Sequence, residues 1–175
     1  KDTSIEAANR LRDANAGAIR RCLLYNRGPL VLHMFRNWMS DKAYFAVIQQ
    51  LIKNNEYGPV TSDDFAKAAS QVLNTNLQWF VDDWIRTGGT PEISVEATTT
   101  TSSDGKLALL CKTTQADVKN AKRLYIPIVL TYSDGRKEAK MCFVSGATSS
   151  QTIPLVATPA KIEVDPEKTA LVKYK

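Results

Sequence analysis

In the first half of the chain, three side chains that could take part in catalysis lie close together, in the segment LLYNRGPLVLHMFR at positions 23–36. It holds a phenol at Tyr25, a guanidinium at Arg27 and an imidazole at His33. A phenol donates usefully to an oxyanion only where a reacting carbonyl is held within hydrogen-bonding distance. Taken alone, Tyr25 is a tyrosine just before a predicted helix, and Arg27 either anchors that helix start or lines the same cleft.

No pattern of metal ligands accompanies these residues. His33 is the single histidine of the chain, so no second imidazole follows one helical turn later. We interpret His33 as a surface histidine and expect the chain itself to bind no metal. Cys22, Cys111 and Cys142 lack the Cys-x-x-Cys spacing of a zinc site. Cys111 and Cys142 are either buried free thiols or the partners of a bridge, and the sequence leaves both open.

The adjacent carboxylates Asp82 and Asp83 do not form a catalytic pair by pattern. Neighbouring residues of a helix point about 100° apart, which disfavours a shared proton or metal and favours a solvated face. The large aromatic residues Trp38, Phe80 and Trp84 recur at helical spacing and are interpreted as core anchors.

Composition indicates a globular protein with a real core, since 43% of the 175 residues are hydrophobic and 23% are charged. No apolar run approaches the ~20 residues of a membrane span. The net charge of +5 is spread over both halves rather than gathered on one element, so we expect no nucleic-acid partner. The sequence begins with Lys1 instead of Met, and we expect it to be a piece of a longer chain.

Helical signals dominate the first half. Residues 4–20 are rich in alanine and predict a short helix that ends at Gly17, with an irregular run from there to Tyr25. The next helix is predicted to begin at Gly28-Pro29, because proline is favoured in a first helical turn.

Two further helix starts carry capping signals. Ser40 precedes one amphipathic helix, and Thr61 with Asp64 forms a capping-box pattern before another. A last amphipathic helix ends at the Gly-Gly-Thr-Pro sequence of residues 88–91.

Hydrophobic residues recur about every 3.6 positions before Pro91 and at every second position after it. The alternating part predicts about seven strands joined by polar turns. Asp134-Gly135 predicts a tight hairpin, and Pro127 predicts an edge strand or a bulge. Helices followed by strands predict an α+β chain of two units. These are a helical bundle piece, residues 1–88, and an all-β, immunoglobulin-like sandwich, residues 89–175.

The order of several motifs carries a family resemblance. The segment from Tyr25 to Arg36 is followed by a Thr-x-x-Asp-Phe helix, then by a Leu-x-x-Phe-x-x-x-Trp helix and the Gly-Thr-Pro-Glu-Ile-Ser-Val segment of residues 89–95. In this succession, over roughly residues 18–175, the chain resembles the C-terminal part of the aminopeptidase N-like zinc metallopeptidases, which are gluzincins.

The resemblance implies a role for each part of the chain. Residues 1–88 resemble the end of the thermolysin-like catalytic domain, and residues 89–175 its β-sandwich neighbour. Tyr25 corresponds to the family's oxyanion-stabilising tyrosine. In the intact enzyme, zinc and the peptide substrate would bind largely to an upstream catalytic half, because the His-Glu-x-x-His helix of the family does not occur here. The chain alone is expected to be an inactive piece of an enzyme that removes N-terminal residues from peptides.

A second hypothesis is a non-catalytic module that binds a partner protein, with strand addition at the Pro127 edge. The two hypotheses differ in one expectation. A severed helical unit should expose an apolar face and should self-associate or be poorly soluble. A self-sufficient module should be monomeric and should cover the stripe of Val31, Met34, Phe35 and Trp38 within one chain. The sequence indicates neither a compartment nor the residue preferred at the substrate N-terminus.

Overall fold

A computed structural model describes residues 4–8 and 16–175 of the chain. The chain divides into two compact units, one up to Gly89 and one from Thr90 to Lys175. The first, here the helical unit, contains the helices, and the second, here the sandwich unit, contains the strands. The predicted α+β class is confirmed. No helix among the described residues is long and apolar enough to cross a bilayer.

The helical unit contains six α-helical segments and two π-helical segments among its described residues. In chain order they are α1 (Ile5–Ala8), α2 (Ala16–Arg21), the first π-segment (Cys22–Arg27), α3 (Gly28–Trp38), α4 (Asp41–Asn54), α5 (Ser62–Leu73), α6 (Gln78–Phe80) and the second π-segment (Val81–Arg86).

The predicted break before α3 is wrong. Gly17 lies inside α2 instead of ending a helix, and the run up to Tyr25 is helical. Residues 9–15 of the predicted first helix lie outside the described residues. Gly28 keeps right-handed helical angles, and its N–H donates to the carbonyl of Leu23, five residues back. An α-helical proline would place its ring against the carbonyl four residues earlier, which for Pro29 is that of Tyr25. The wider π-turn accommodates Pro29 without ending the helix.

The predicted helix caps are confirmed. The Ser40 hydroxyl accepts a hydrogen bond from the Ala43 N–H at 3.3 Å. Thr61 and Asp64 form a complete capping box, in which each side chain accepts from the other residue's backbone N–H. These bonds satisfy N–H groups that an uncapped first turn would leave without partners.

The core of the helical unit is centred on Phe35, which is completely buried. Its ring lies 5.2 Å from that of Phe65 and 4.8 Å from that of Phe80, measured between centroids. Trp84 is also fully buried, while Trp38 is half-buried against Trp79. Phe80 and Trp84 therefore serve as the predicted core anchors.

Arg86 joins three elements of the helical unit. Its guanidinium pairs with Glu6 of α1 at 3.3 Å, Asp63 of α5 at 2.8 Å and Asp82 of its own π-segment at 2.9 Å. Asp82 is thus an ion-pair partner instead of part of a merely solvated face. One guanidinium with three carboxylates around it keeps the two ends of this unit together.

The sandwich unit consists of seven strands in two sheets. The strands are β1 (Glu92–Thr101), β2 (Leu107–Gln115), β3 (Leu124–Thr131), β4 (Lys137–Val144), β5 (Thr148–Pro154), β6 (Lys161–Val164) and β7 (Lys173–Tyr174). One sheet has the order β5-β2-β1-β7 and the other β4-β3-β6. All pairs are antiparallel except β1 with β7. The predicted hairpin at Asp134-Gly135 joins β3 to β4, and Gly135 has a φ of +83°.

The prediction of an edge strand at Pro127 is wrong, because β3 is the central strand of its sheet. Pro127 lies where pairing with β6 ends: β6 stops at Val164, and the N–H of the next residue, Asp165, donates to the Pro127 carbonyl at 2.8 Å. The Asp165 carbonyl turns away and accepts from the Lys168 N–H at 2.9 Å. The missing N–H of Pro127 therefore leaves no unpaired carbonyl opposite it.

Candidate active-site surface

Tyr25 lies in the first π-segment and is 74% exposed. Its exposed neighbours recur about every four residues along the continuous helix from α2 to α3. They form what we call the Tyr25 face, which consists of Arg21, Cys22, Tyr25, Asn26, Pro29 and Leu30. The phenol thus stands in the middle of an open surface of the helical unit. A groove of about 470 Å³ lies on this face, and Arg21, Cys22 and Asn26 help to line it.

Arg27 occupies the opposite side of the same segment. Its Nε and Nη2 atoms are buried, and they have no hydrogen-bond partner among the described residues. Burial lowers the pKa of the Arg27 guanidinium below its usual value. Because Arg27 is on the buried side with Leu23 and Val31, it does not share the surface that presents Tyr25. Of the two roles considered for Arg27, the structure therefore disfavours a place in the same cleft as Tyr25, and no hydrogen bond among the described residues shows the other role, an anchor of the helix start.

His33 is exposed, as predicted. Its Nε2 atom lies 2.9 Å from Nδ2 of Asn37, which also donates to the His33 carbonyl. Within residues 4–8 and 16–175, no group of three histidine, cysteine, aspartate or glutamate side chains is arranged to hold a metal ion. The residues described here therefore do not fit a catalytic zinc, which needs three protein ligands.

Three of the four residues of the α3 stripe are covered, which is the outcome expected of a self-sufficient module. Val31, Met34 and Phe35 are buried within this chain, and the Phe35 ring packs against Phe65 of α5 and Phe80 of α6. Large apolar side chains are exposed elsewhere in the helical unit: Ile19, Leu30, Phe45, Ile52 and Val60. Ile19 and Leu30 lie on or beside the Tyr25 face. Among its described residues, the helical unit thus has a buried interior and an exposed apolar border at the Tyr25 face, formed by Ile19 and Leu30.

Comparison with known proteins finds a family similarity in the helical unit. Residues 6–84 match the Peptidase family M1 domain, and this match contains Tyr25 and the whole Tyr25 face. The chain is M1 aminopeptidase-like. The resemblance inferred from the motif order is confirmed.

Two relatives illustrate the similarity. An aminopeptidase N of Lactococcus lactis subsp. lactis is 26% identical over 74 residues, which are 42% of this chain and 9% of that protein. A glutamyl aminopeptidase of Bitis rhinoceros is 28% identical over 76 residues, which are 43% of this chain and 8% of that protein. The matched region is therefore less than a tenth of either relative.

A solved structure shares the fold over most of this chain. The crystal structure of Legionella pneumophila aminopeptidase A in complex with aspartic acid has a TM-score of 0.70 and 17% identity. The match covers 91% of this chain and 18% of that one. At this identity the match shows a shared fold. The M1 family implies zinc in an intact M1 enzyme.

Sequence reasoning missed the Tyr25 face. It placed an irregular run before Tyr25, so it separated the phenol from the helix that presents it. One signal was available, because the run AIRRCLLYNR at positions 18–27 contains neither glycine nor proline and holds good helix formers.

Proposed function

We propose that this chain is part of a zinc-dependent aminopeptidase that releases N-terminal residues from peptides, and that Tyr25 stabilises the oxyanion of that reaction. The observation that carries the proposal is the open Tyr25 face within the M1-like residues. A phenol that is 74% exposed on a helical support leaves room for a substrate carbonyl at its hydroxyl. A donor held in place before the reaction stabilises charge that develops in the transition state.

In such an enzyme, this chain would supply only part of the active site, and the remaining catalytic half would supply the rest. The helical unit would be the end of a thermolysin-like catalytic domain, residues 1–88, and the sandwich of residues 89–175 would support it. The zinc ligands, the general base and the site for the substrate N-terminus would come from the remaining catalytic half. On this proposal the isolated chain hydrolyses no peptide.

The test is the substitution Tyr25→Phe in the natural protein that contains this chain. We expect kcat on aminoacyl p-nitroanilides to fall ~10²–10³-fold, the range for loss of one oxyanion donor. KM should change little, since the bond is made in the transition state. Tyr57→Phe is the matched control, because Tyr57 is an exposed tyrosine of the same unit. A Tyr25→Phe turnover within two-fold of wild type would remove Tyr25 from the mechanism.

A second candidate is a self-sufficient, non-catalytic module that binds a protein partner. Burial of Val31, Met34 and Phe35 within one chain is the observation that favours it. The central position of β3 removes the edge-strand surface on which this hypothesis was first based. Zinc-dependent peptide hydrolysis by the natural protein, lost on Tyr25→Phe, would exclude it.

A further inference from the structure

Two cysteines meet in the interior of the sandwich unit. Cys111 lies on β2 of the four-stranded sheet and Cys142 on β4 of the three-stranded sheet. Both are buried, with 0% and 1% of their surface exposed, and both are free thiols in this structure. Their side chains hydrogen-bond to each other. The contact therefore joins the two sheets.

The backbone holds the two cysteines in register independently of this contact. Cys111 is directly opposite Gln151 of β5, so the two side chains point to the same face of the sheet. The Gln151 side-chain oxygen then accepts a hydrogen bond from the backbone N–H of Phe143 at 2.8 Å. Phe143 follows Cys142 directly. Gln151, which lies opposite Cys111, is thus hydrogen-bonded to the residue that follows Cys142.

Buried apolar residues lie beside both cysteines. Leu109, two residues before Cys111, and Ile126, opposite Cys142, are fully buried. The hydrogen bond to Cys111 and burial both raise the pKa of the Cys142 thiol. The same hydrogen bond lowers the pKa of the Cys111 thiol. Burial of both sulfur atoms keeps them from reagents in the folded chain.

We propose that Cys111 and Cys142 are a disulfide-forming pair that closes the sandwich across its two sheets when folding takes place with a small-molecule disulfide. One cysteine thiolate attacks this disulfide and releases the first small thiol, which leaves a mixed disulfide. The second cysteine attacks the protein sulfur of that bond and expels the second small thiol. The protein loses two electrons and two protons, and the small disulfide gains them as two thiols.

The proposal concerns the sandwich unit and does not depend on the role of Tyr25. Exchange takes place during folding or local opening, because the closed sandwich covers both sulfur atoms. The exposed Cys22 in the helical unit remains open to reagents in the folded chain. Formation of the bond constrains the unfolded state and thereby stabilises the sandwich unit.

The test is refolding of the whole chain with oxidised glutathione, followed by alkylation in denaturant and tryptic mapping without reduction. Trypsin separates the three cysteines into peptides 22–27, 107–112 and 141–161. We expect peptides 107–112 and 141–161 to be joined, at a mass lower by two hydrogen atoms than their sum. The unfolding midpoint of the sandwich unit should rise by ~5–10 °C over the chain refolded with reduced glutathione.

Three single-cysteine variants distinguish a specific Cys111–Cys142 bond from non-specific cysteine oxidation. Cys22→Ser should leave the linked peptides unchanged, whereas Cys111→Ala and Cys142→Ala should each abolish them. The main readout uses the wild-type chain, so it stands even where an alanine variant folds poorly. Full alkylation of Cys111 and Cys142 after oxidative refolding, or preferential linkage of either one to Cys22, would overturn the proposal.

Discussion

Tyr25 and Arg27 lie on opposite sides of one π-helical segment, so that the phenol faces outwards while two guanidinium nitrogens are buried. The two residues are only two positions apart, yet they belong to different surfaces of the helical unit. The phenol is available to a ligand. The guanidinium is half-buried, and its Nε and Nη2 lack an acceptor among the described residues.

Replacement of this half-buried cation should stabilise the isolated chain. Arg27→Met keeps most of the side-chain volume and removes unpaired donors, so we expect the free energy of unfolding in urea to rise by about 1–2 kcal/mol. Arg21→Met is the matched control, because Arg21 is exposed, and should change stability by less than ~0.5 kcal/mol. Destabilisation by Arg27→Met would mean that Arg27 has a stabilising partner in the folded chain.

The ion pairs of Arg86 should make the helical unit sensitive to acid. The Arg86 hydrogen bond, with help from Gln78, holds the pKa of Asp63 below its usual value. A carboxylate with a lowered folded-state pKa adds stability above its unfolded-state pKa, and this stability is lost as pH falls through the folded value. Asp63→Asn should therefore flatten the fall of unfolding free energy below about pH 4.

Chemical denaturation at several pH values between about 2 and 6 measures this slope for wild type and Asp63→Asn. Glu56→Gln, which removes a carboxylate from the exposed loop after α4, serves as the control and should leave the slope unchanged. Identical slopes for wild type and Asp63→Asn would show that the pair with Arg86 adds nothing to stability.

The C-terminal part of the sandwich unit depends on Asp165. This buried carboxylate accepts hydrogen bonds from the Thr169 and Ala170 N–H groups at 2.8 and 3.0 Å, and from the Tyr174 hydroxyl at 2.8 Å. Asp165→Asn puts an NH₂ group where an acceptor is needed, and should lower the free energy of unfolding by about 2 kcal/mol.

Asp117→Asn is the control for this substitution. Asp117 accepts from the N–H groups of Lys119 and Asn120 in an exposed turn, where water can replace a lost bond. Its effect should stay below ~1 kcal/mol. If both variants lose the same free energy of unfolding, the Asp165 network stabilises the chain no more than the exposed turn at Asp117 does.

The apolar border of the Tyr25 face should promote self-association of the isolated chain. Ile19 and Leu30 are about half exposed, and burial against a second copy removes their surface from water. In light scattering the mass should rise above the monomer value of 19.4 kDa with concentration. Leu30→Lys should weaken this rise, whereas Val156→Lys, at an exposed apolar residue of the sandwich unit, should not. A mass of 19.4 kDa at every concentration would contradict the expectation.

Local features of this protein were readable from its sequence. The Ser40 cap and the Thr61–Asp64 capping box depend on residues three positions apart. The Asp134-Gly135 hairpin and the change from helical to alternating periodicity at Pro91 are equally local. The motif order carried the family resemblance, and with it the interest in Tyr25.

Other features were decided only by tertiary structure, because they join residues far apart in the chain. Arg86 pairs with Glu6, 80 residues away, and Cys111 meets Cys142 from another sheet. Pro127 is tolerated in a central strand only because β6 ends beside it. Local pattern marked Pro29 as a helix start, whereas the folded chain continues through it by widening one turn. That turn leaves Tyr25 exposed on a helix, which sequence periodicity alone does not encode.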